Sequence, residues 1–127
     1  MKCNVLVVDD SKLARMVVAS AFTKIRPDWE LTEATNAEQA LDILGQGRVD
    51  IALVDFNMPG VDGLELLARI RERHPKMPIA LISANLQHEI VARARELDAA
   101  FVAKPLTEDG LRGFLSGAAL RLRKAAS

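Results

Sequence analysis

A chain of 127 residues with a single cysteine can bury the core of one domain, expected over residues 1–127, and excludes an internal disulfide framework. Seventeen basic and seventeen acidic residues cancel, so no overall charge draws the chain to nucleic acid or to an anionic membrane. No apolar run approaches the ~18 residues of a membrane span, and Asp9-Asp10 arrives too early for a signal peptide; a cytoplasmic protein without direct nucleic-acid or membrane partners is expected. His74 and His88 lie far apart and Cys3 sits in an apolar run as a buried thiol, so no zinc ligand set exists and only oxygen-ligated metals remain open.

Cys3 to Val8 is a Val- and Leu-rich run ending at Asp9-Asp10-Ser11, the pattern of a central strand followed by an acidic loop. Ser11 is placed to cap a helix whose apolar positions Ala14, Val17, Val18, Ala21, Phe22 and Ile25 recur at helical spacing, and Pro27 closes it. Glu30 to Ala34 alternates as a second strand. Asn36 with Gln39 gives another cap signal, for a helix that presents Ala37, Ala40, Leu41 and Leu44 on one face and ends at Gly45.

Ile51 to Val54 is a third strand, delivering Asp55 to a turn rich in Pro and Gly. Asp62, with Glu65 three residues on, caps the next helix, whose expected inward positions are Leu64, Leu67, Ala68 and Ile70 and which stops ahead of Pro75. Ile79 to Ser83 is a fourth strand ending in a hydroxyl; Asn85 or a neighbour opens a helix with Ile90, Val91, Ala94 and Leu97 facing in. Ala100 to Ala103 is a short fifth strand ending at Lys104-Pro105. Thr107 caps the last helix, with the stripe Leu111, Phe114, Leu115, Ala118 and Leu122. The basic residues Arg121, Arg123 and Lys124 suit a solvated helix C-terminus.

Five strand-then-helix units imply an α/β domain with a parallel sheet, helices on both faces and right-handed crossovers. Asp9-Asp10, Asp55, Ser83 and Lys104 all fall at strand ends, and the carboxyl ends of such a sheet are where ligands bind. Each alone has a plain structural reading; their recurrence at corresponding positions of successive units points to one site. Three converging carboxylates repel, and a divalent cation relieves that strain; oxygen-only ligands favour Mg2+, with Mn2+ as the alternative. A carboxylate beside such a cation can act as nucleophile towards phosphorus, with Lys104 as a point charge and Ser83 as a hydrogen-bond donor to the phosphoryl group.

Asp9-Asp10 after the first strand, Asp55 in DFNMPGVDG, Ser83 in LISAN and Lys104-Pro105 together resemble the signature of the CheY-like receiver domain of two-component response regulators, over essentially the whole chain. The resemblance implies a flavodoxin-like (βα)5 doubly wound sheet of five parallel strands in the order 2-1-3-4-5. It implies that Asp55 is the phosphoacceptor, that Asp10, Asp55 and the Asn57 carbonyl ligate Mg2+ with Asp9 acting largely through water, and that Lys104 pairs with the acceptor. It further implies a cis Lys104-Pro105 bond and a switch formed by Ser83 and Phe101 that alters a surface of the fourth helix, fifth strand and fifth helix.

The expected partners are a sensor histidine kinase or phosphotransfer protein upstream and an effector downstream, with the domain a monomer or a weak phosphorylation-dependent dimer. Such a domain is a phosphoacceptor that promotes its own phosphorylation and dephosphorylation rather than an enzyme acting on other substrates. Two positions depart mildly from the usual pattern: Ser83 stands where threonine is commoner, and Phe101 where tyrosine is frequent. A haloacid-dehalogenase-like phosphatase would also form an aspartyl phosphate, but it uses an acid two residues after the nucleophile, and that position is Asn57. A degenerate receiver serving only as an interaction module is disfavoured by the intact acids, hydroxyl and lysine.

Overall fold

The computed structural model describes residues 2–126, with side chains described as far as Lys124. Five strands, β1 (Asn4–Val8), β2 (Glu30–Ala34), β3 (Ile51–Asp55), β4 (Ile79–Ser83) and β5 (Ala100–Ala103), alternate with five helices. These are α1 (Lys12–Ile25), α2 (Ala37–Gly45), α3 (Gly63–Arg73), α4 (His88–Glu96) and α5 (Glu108–Ala126). All strand pairings are parallel and the order is β2-β1-β3-β4-β5, the flavodoxin-like order expected. β3 and β4 are buried along their whole lengths and β1 from Val5 onwards, which is why their sequences read as apolar runs. β2 lies at a sheet edge and exposes Glu30 and Glu33 on opposite faces, so its burial does not follow the strict alternation expected.

Because successive strand residues point to opposite faces, the sheet has two cores. Leu6, Val8, Ala52, Val54 and Leu81 pack against α2, α3 and α4, while Val5, Val7, Leu53 and Ile82 pack against α1 and α5. Burying one such side chain contributes about 1.5–3 kcal/mol, and α3 adds Leu66, Leu67 and Ile70 to the first core, each fully buried.

Four helix starts carry the caps legible in the sequence. Ser11 Oγ accepts from Ala14 N, Asn36 Oδ1 from Gln39 N, Asp62 Oδ1 from Glu65 N and Thr107 Oγ1 from Gly110 N. The fifth start differs: α4 begins after Gln87, which makes no side-chain cap bond, because Asn85 Oδ1 accepts instead from Gln87 N in a tight turn ahead of the helix. On two helices most of the expected inward positions are buried or partly buried, and single positions depart. Val17 is 51% exposed, and Leu66 rather than Leu64 or Ala68 fills the buried position on α3.

The Pro59-Gly60 turn carries the chain from β3 to α3, with Gly60 at φ 84°, a conformation natural to glycine. Gly63 then passes so close to β3 that a Cβ there would lie 2.5 Å from both Asp55 O and Phe56 Cα. Those atoms are backbone and cannot swing aside. Gly117, in the middle of α5, has open space at the same point. The two substitutions are therefore expected to act with opposite sign in urea unfolding. Gly63→Ala should lose about 1–3 kcal/mol through overpacking, whereas Gly117→Ala should gain about 0.5–1 kcal/mol through helix propensity.

Candidate functional site

Parallel register brings the chemistry to one edge. Val8 pairs with Val54, Asp55 with Ile82 and Ser83 with Ala103, so the residues at or just after these ends share the carboxyl rim of the sheet. Lys104 follows β5 directly, its amide bonded to Ser83 O at 3.0 Å. Asp9, Asp10 and Asp55 each place a carboxylate oxygen within 4.8 Å of the others. Asp9 and Asp55 are buried and Asp10 is exposed.

Each acid is held differently. Asp9 is fastened at three atoms: its amide donates to Ala34 O, its carboxylate accepts from Ser11 N and its carbonyl accepts from Arg15. Asp55 is 3% exposed and faces Lys104, whose Nζ lies 2.6 Å from Oδ1. This contact is an ion pair at hydrogen-bonding distance, and among the described residues Oδ1, a buried oxygen, takes no donor besides the lysine. Burial raises the Asp55 pKa above the ordinary carboxylate value, and the charge of Asp9 adds to the rise; Lys104 and the Asn57 amide oppose it.

A buried carboxylate met by a single lysine, beside two more carboxylates within 4.8 Å, fits a small hard cation, which needs negative charge and oxygen atoms. Asn57 follows in the exposed loop, two residues after Asp55, so its backbone is available from the same turn.

Ser83 is fully buried; its Oγ accepts from Asn85 N at 2.9 Å and donates towards Asn85 O at 3.4 Å. Phe101 is half-buried against the core beneath α3 and α4, and the Lys104-Pro105 peptide bond is cis. A groove lined by Phe101, Lys104 and Phe114 connects the rim to the outer face of β5 and α5. On the other side, a cleft of about 490 Å3 opens beside Asp9, Asp55 and Lys104, walled by Leu13, Val17 and Leu106.

Two groups escaped the sequence reading. Leu13, Met16 and Val17 form an exposed apolar set on α1, and Arg15 reaches the acidic loop from the same helix. Apolar spacing could have signalled the first, since α1 carries more apolar positions than one face can bury. Trp29 lies just ahead of β2, at the edge of the sheet opposite the acids, so heat of binding reports a cation more directly than its fluorescence. Burial likewise pushes the Cys3 thiol up, as its apolar setting implied.

A buried acid paired with lysine, two further acids and a hydroxyl on the rim of a flavodoxin-like sheet define a site suited to phosphoryl chemistry at a carboxylate. The chain belongs to the response regulator receiver domain family, whose model matches residues 5–116. It is 31% identical over 113 residues to sporulation initiation phosphotransferase F of Bacillus subtilis, covering 88% of this chain and 90% of that protein. It is 34% identical over 122 residues to the sensor histidine kinase RcsC of Salmonella typhi, covering 94% of this chain but only 13% of that protein. Among solved structures, the CheX-CheY-BeF3-Mg2+ complex of Borrelia burgdorferi superposes with a TM-score of 0.83 at 26% identity, over 91% of this chain and 87% of that one. The domain is a phosphoacceptor signalling domain.

The raised Asp55 pKa sets the sign of a pH dependence. Between the ordinary and the raised pKa the folded chain holds a proton that the unfolded chain has lost, so stability falls as pH rises through that window. In the absence of divalent cation, Asp55→Asn is expected to melt above the parent near pH ~7, with the gap closing towards pH ~4 as the parent's carboxyl is itself protonated. Paired melting curves across that range check it; a gap that does not change with pH would contradict the assignment.

Proposed function

We propose that Asp55 accepts a phosphoryl group from a phosphohistidine on a sensor histidine kinase or phosphotransfer protein, or slowly from a small acyl phosphate. The observation that carries this reading is the buried Asp55 carboxylate opposed at 2.6 Å by Lys104 within the three-acid cluster. A carboxylate oxygen of Asp55 attacks phosphorus, the P–N bond breaks, and its electron pair and a proton remain with the donor imidazole. Asp10, Asp55 and the Asn57 carbonyl, with Asp9 reached through water, are the groups to hold Mg2+ or Mn2+, whose charge neutralises the transferring oxygens when bound. Lys104 supplies a second positive charge to a phosphoryl oxygen. In a separate hydrolytic step water attacks phosphorus, the P–O bond to Asp55 breaks and inorganic phosphate leaves, so the same residues promote both phosphorylation and its loss. Asn57 offers no proton for turnover of phosphate esters, which separates this chain from phosphatases of similar chemistry.

Once Asp55 is phosphorylated, the new oxygens draw the Ser83 hydroxyl away from Asn85, and Phe101 turns into the vacated space. The surface of α4, β5 and α5 then changes its affinity for an effector. Residues 1–127 act as one cytoplasmic receiver unit, monomeric or weakly dimeric when phosphorylated. The relatives, a phosphotransferase and a histidine kinase, and the Mg2+ in the chemotaxis neighbour support this reading.

With acyl phosphate and Mg2+, the parent is expected to gain an acid-stable, base-labile phosphate and Asp55→Asn none; equal labelling of both would remove Asp55 from the role. Lys104→Ala should still bind Mg2+ in a calorimetric titration yet lose the phosphorylation-dependent gain in affinity for the effector, and a gain matching the parent's would contradict its part in the switch.

A further inference from the structure

Arg15 has no part in the chemistry above, yet it is among the most constrained charged side chains near the site. Its side chain is only 12% exposed, although it lies on a surface helix. Nη1 donates to Asp9 O at 2.6 Å, and Nε donates to Glu33 Oε1 at 2.9 Å. The guanidinium is a planar fork, so fixing two of its nitrogens fixes its plane. Glu33 is itself anchored on β2, paired in register with Val7 of β1, two residues before Asp9. The fork therefore ties α1, β2 and the acidic loop together.

The carbonyl it grips belongs to the Asp9–Asp10 peptide unit. That unit is planar, so a bond to its oxygen sets the orientation of the whole unit and the direction in which the chain enters Asp10. Asp10 is the exposed member of the cluster, without the buried packing that fixes Asp55. We infer that Arg15, oriented by Glu33, is a positioning residue that sets the Asp9–Asp10 peptide plane so that the Asp10 carboxylate is ready for the cation; this rests on the function proposed above. Charge alone predicts the opposite sign, because a guanidinium near the cluster repels a second cation. The two effects can therefore be told apart.

Calorimetric titration of Mg2+ alone into the parent, Arg15→Lys, Arg15→Ala and Glu33→Ala, with melting curves of each in chelator, makes the test. Lysine keeps the charge but lacks the planar fork whose two fixed nitrogens set the orientation. Arg15→Lys and Arg15→Ala are expected to bind Mg2+ about ten- to hundredfold more weakly, the range for groups that orient metal ligands. Glu33→Ala is expected to weaken binding in the same direction, and Arg15→Lys combined with Glu33→Ala should be no weaker than Arg15→Lys alone. A purely structural arginine would lower the melting temperature in chelator and leave the Mg2+ affinity unchanged. Parent-like or tighter binding by the folded Arg15 variants overturns the inference. Should Arg15→Ala not fold, Arg15→Lys decides. If the parent itself binds no Mg2+, the proposed function falls instead, so the two failures are distinct.

Discussion

The burial of Asp55 is the constraint from which the rest of the site follows. A carboxylate that is 3% exposed has lost most of its hydration, and the lysine and the Asn57 amide offset that loss only in part, since burial still raises its pKa. Lys104 supplies the nearest opposite charge, but from β5, with β4 standing between the two strands. The lysine chain must therefore reach across the end of β4, over the position where Ser83 lies. The ion pair is at once the partial compensation of a buried charge and a bridge closing the rim above the hydroxyl. Such a pair is weak evidence for stability, since desolvation opposes the Coulombic gain. Its value lies in leaving a carboxylate that is buried, charged and incompletely satisfied, and that gains from any further positive charge.

Parallel register makes this arrangement independent of separation along the chain. Asp9, Asp55, Ser83 and Lys104 come from four different units, and each is placed by the strand it ends or follows rather than by contact with the others. The tightness of the loop after Asp55 has a backbone cause. Gly63 N donates to Phe56 O at 2.9 Å, an approach that any Cβ at position 63 would block. The opening of α3 is thus pressed against the end of β3, and the exposed Asn57 loop is held at both ends.

Features that depend on local chemistry were legible in the sequence. Apolar runs at β1, β3 and β4 read as buried strands because both of their faces are covered, and four cap residues read correctly because an N-cap needs only its own side chain and an amide three residues on. Helix phase was harder. α1 has Leu13, Met16 and Val17 outside its buried line, and one turn of sequence cannot say which of two apolar faces meets the sheet. On α3, Leu66 is fully buried beside Leu67 and Ile70, while Leu64 is only partly buried. The Arg15–Glu33 pair spans 18 positions and joins elements that only the fold makes adjacent, so no spacing rule reveals it. The acids, hydroxyl and lysine could be assembled from sequence because they recur at equivalent points of a repeating βα unit, whereas the groups that support them obey no such period.

Ser83 shows how little energy separates two arrangements of the rim. A hydroxyl has one proton, and here it is aimed at Asn85 O over 3.4 Å, near the limit of a useful hydrogen bond. The stronger contact at 2.9 Å uses Oγ as acceptor from Asn85 N and survives many positions of the proton. Turning the proton towards a new acceptor on the rim therefore gives up only a weak bond, while moving Oγ itself releases the amide of Asn85. Asn85 in turn holds Gln87 N through Oδ1, and Gln87 begins α4 without a side-chain cap. The opposite end of α4 is pinned: Arg71 donates to Leu97 O at 2.8 Å and to Asp98 O at 3.0 Å. The start of α4 is held by that chain of hydrogen bonds together with Ile90, which is buried in the core. The Ser83 hydroxyl thus links the rim that carries Asp55 to the start of α4 by two successive hydrogen bonds.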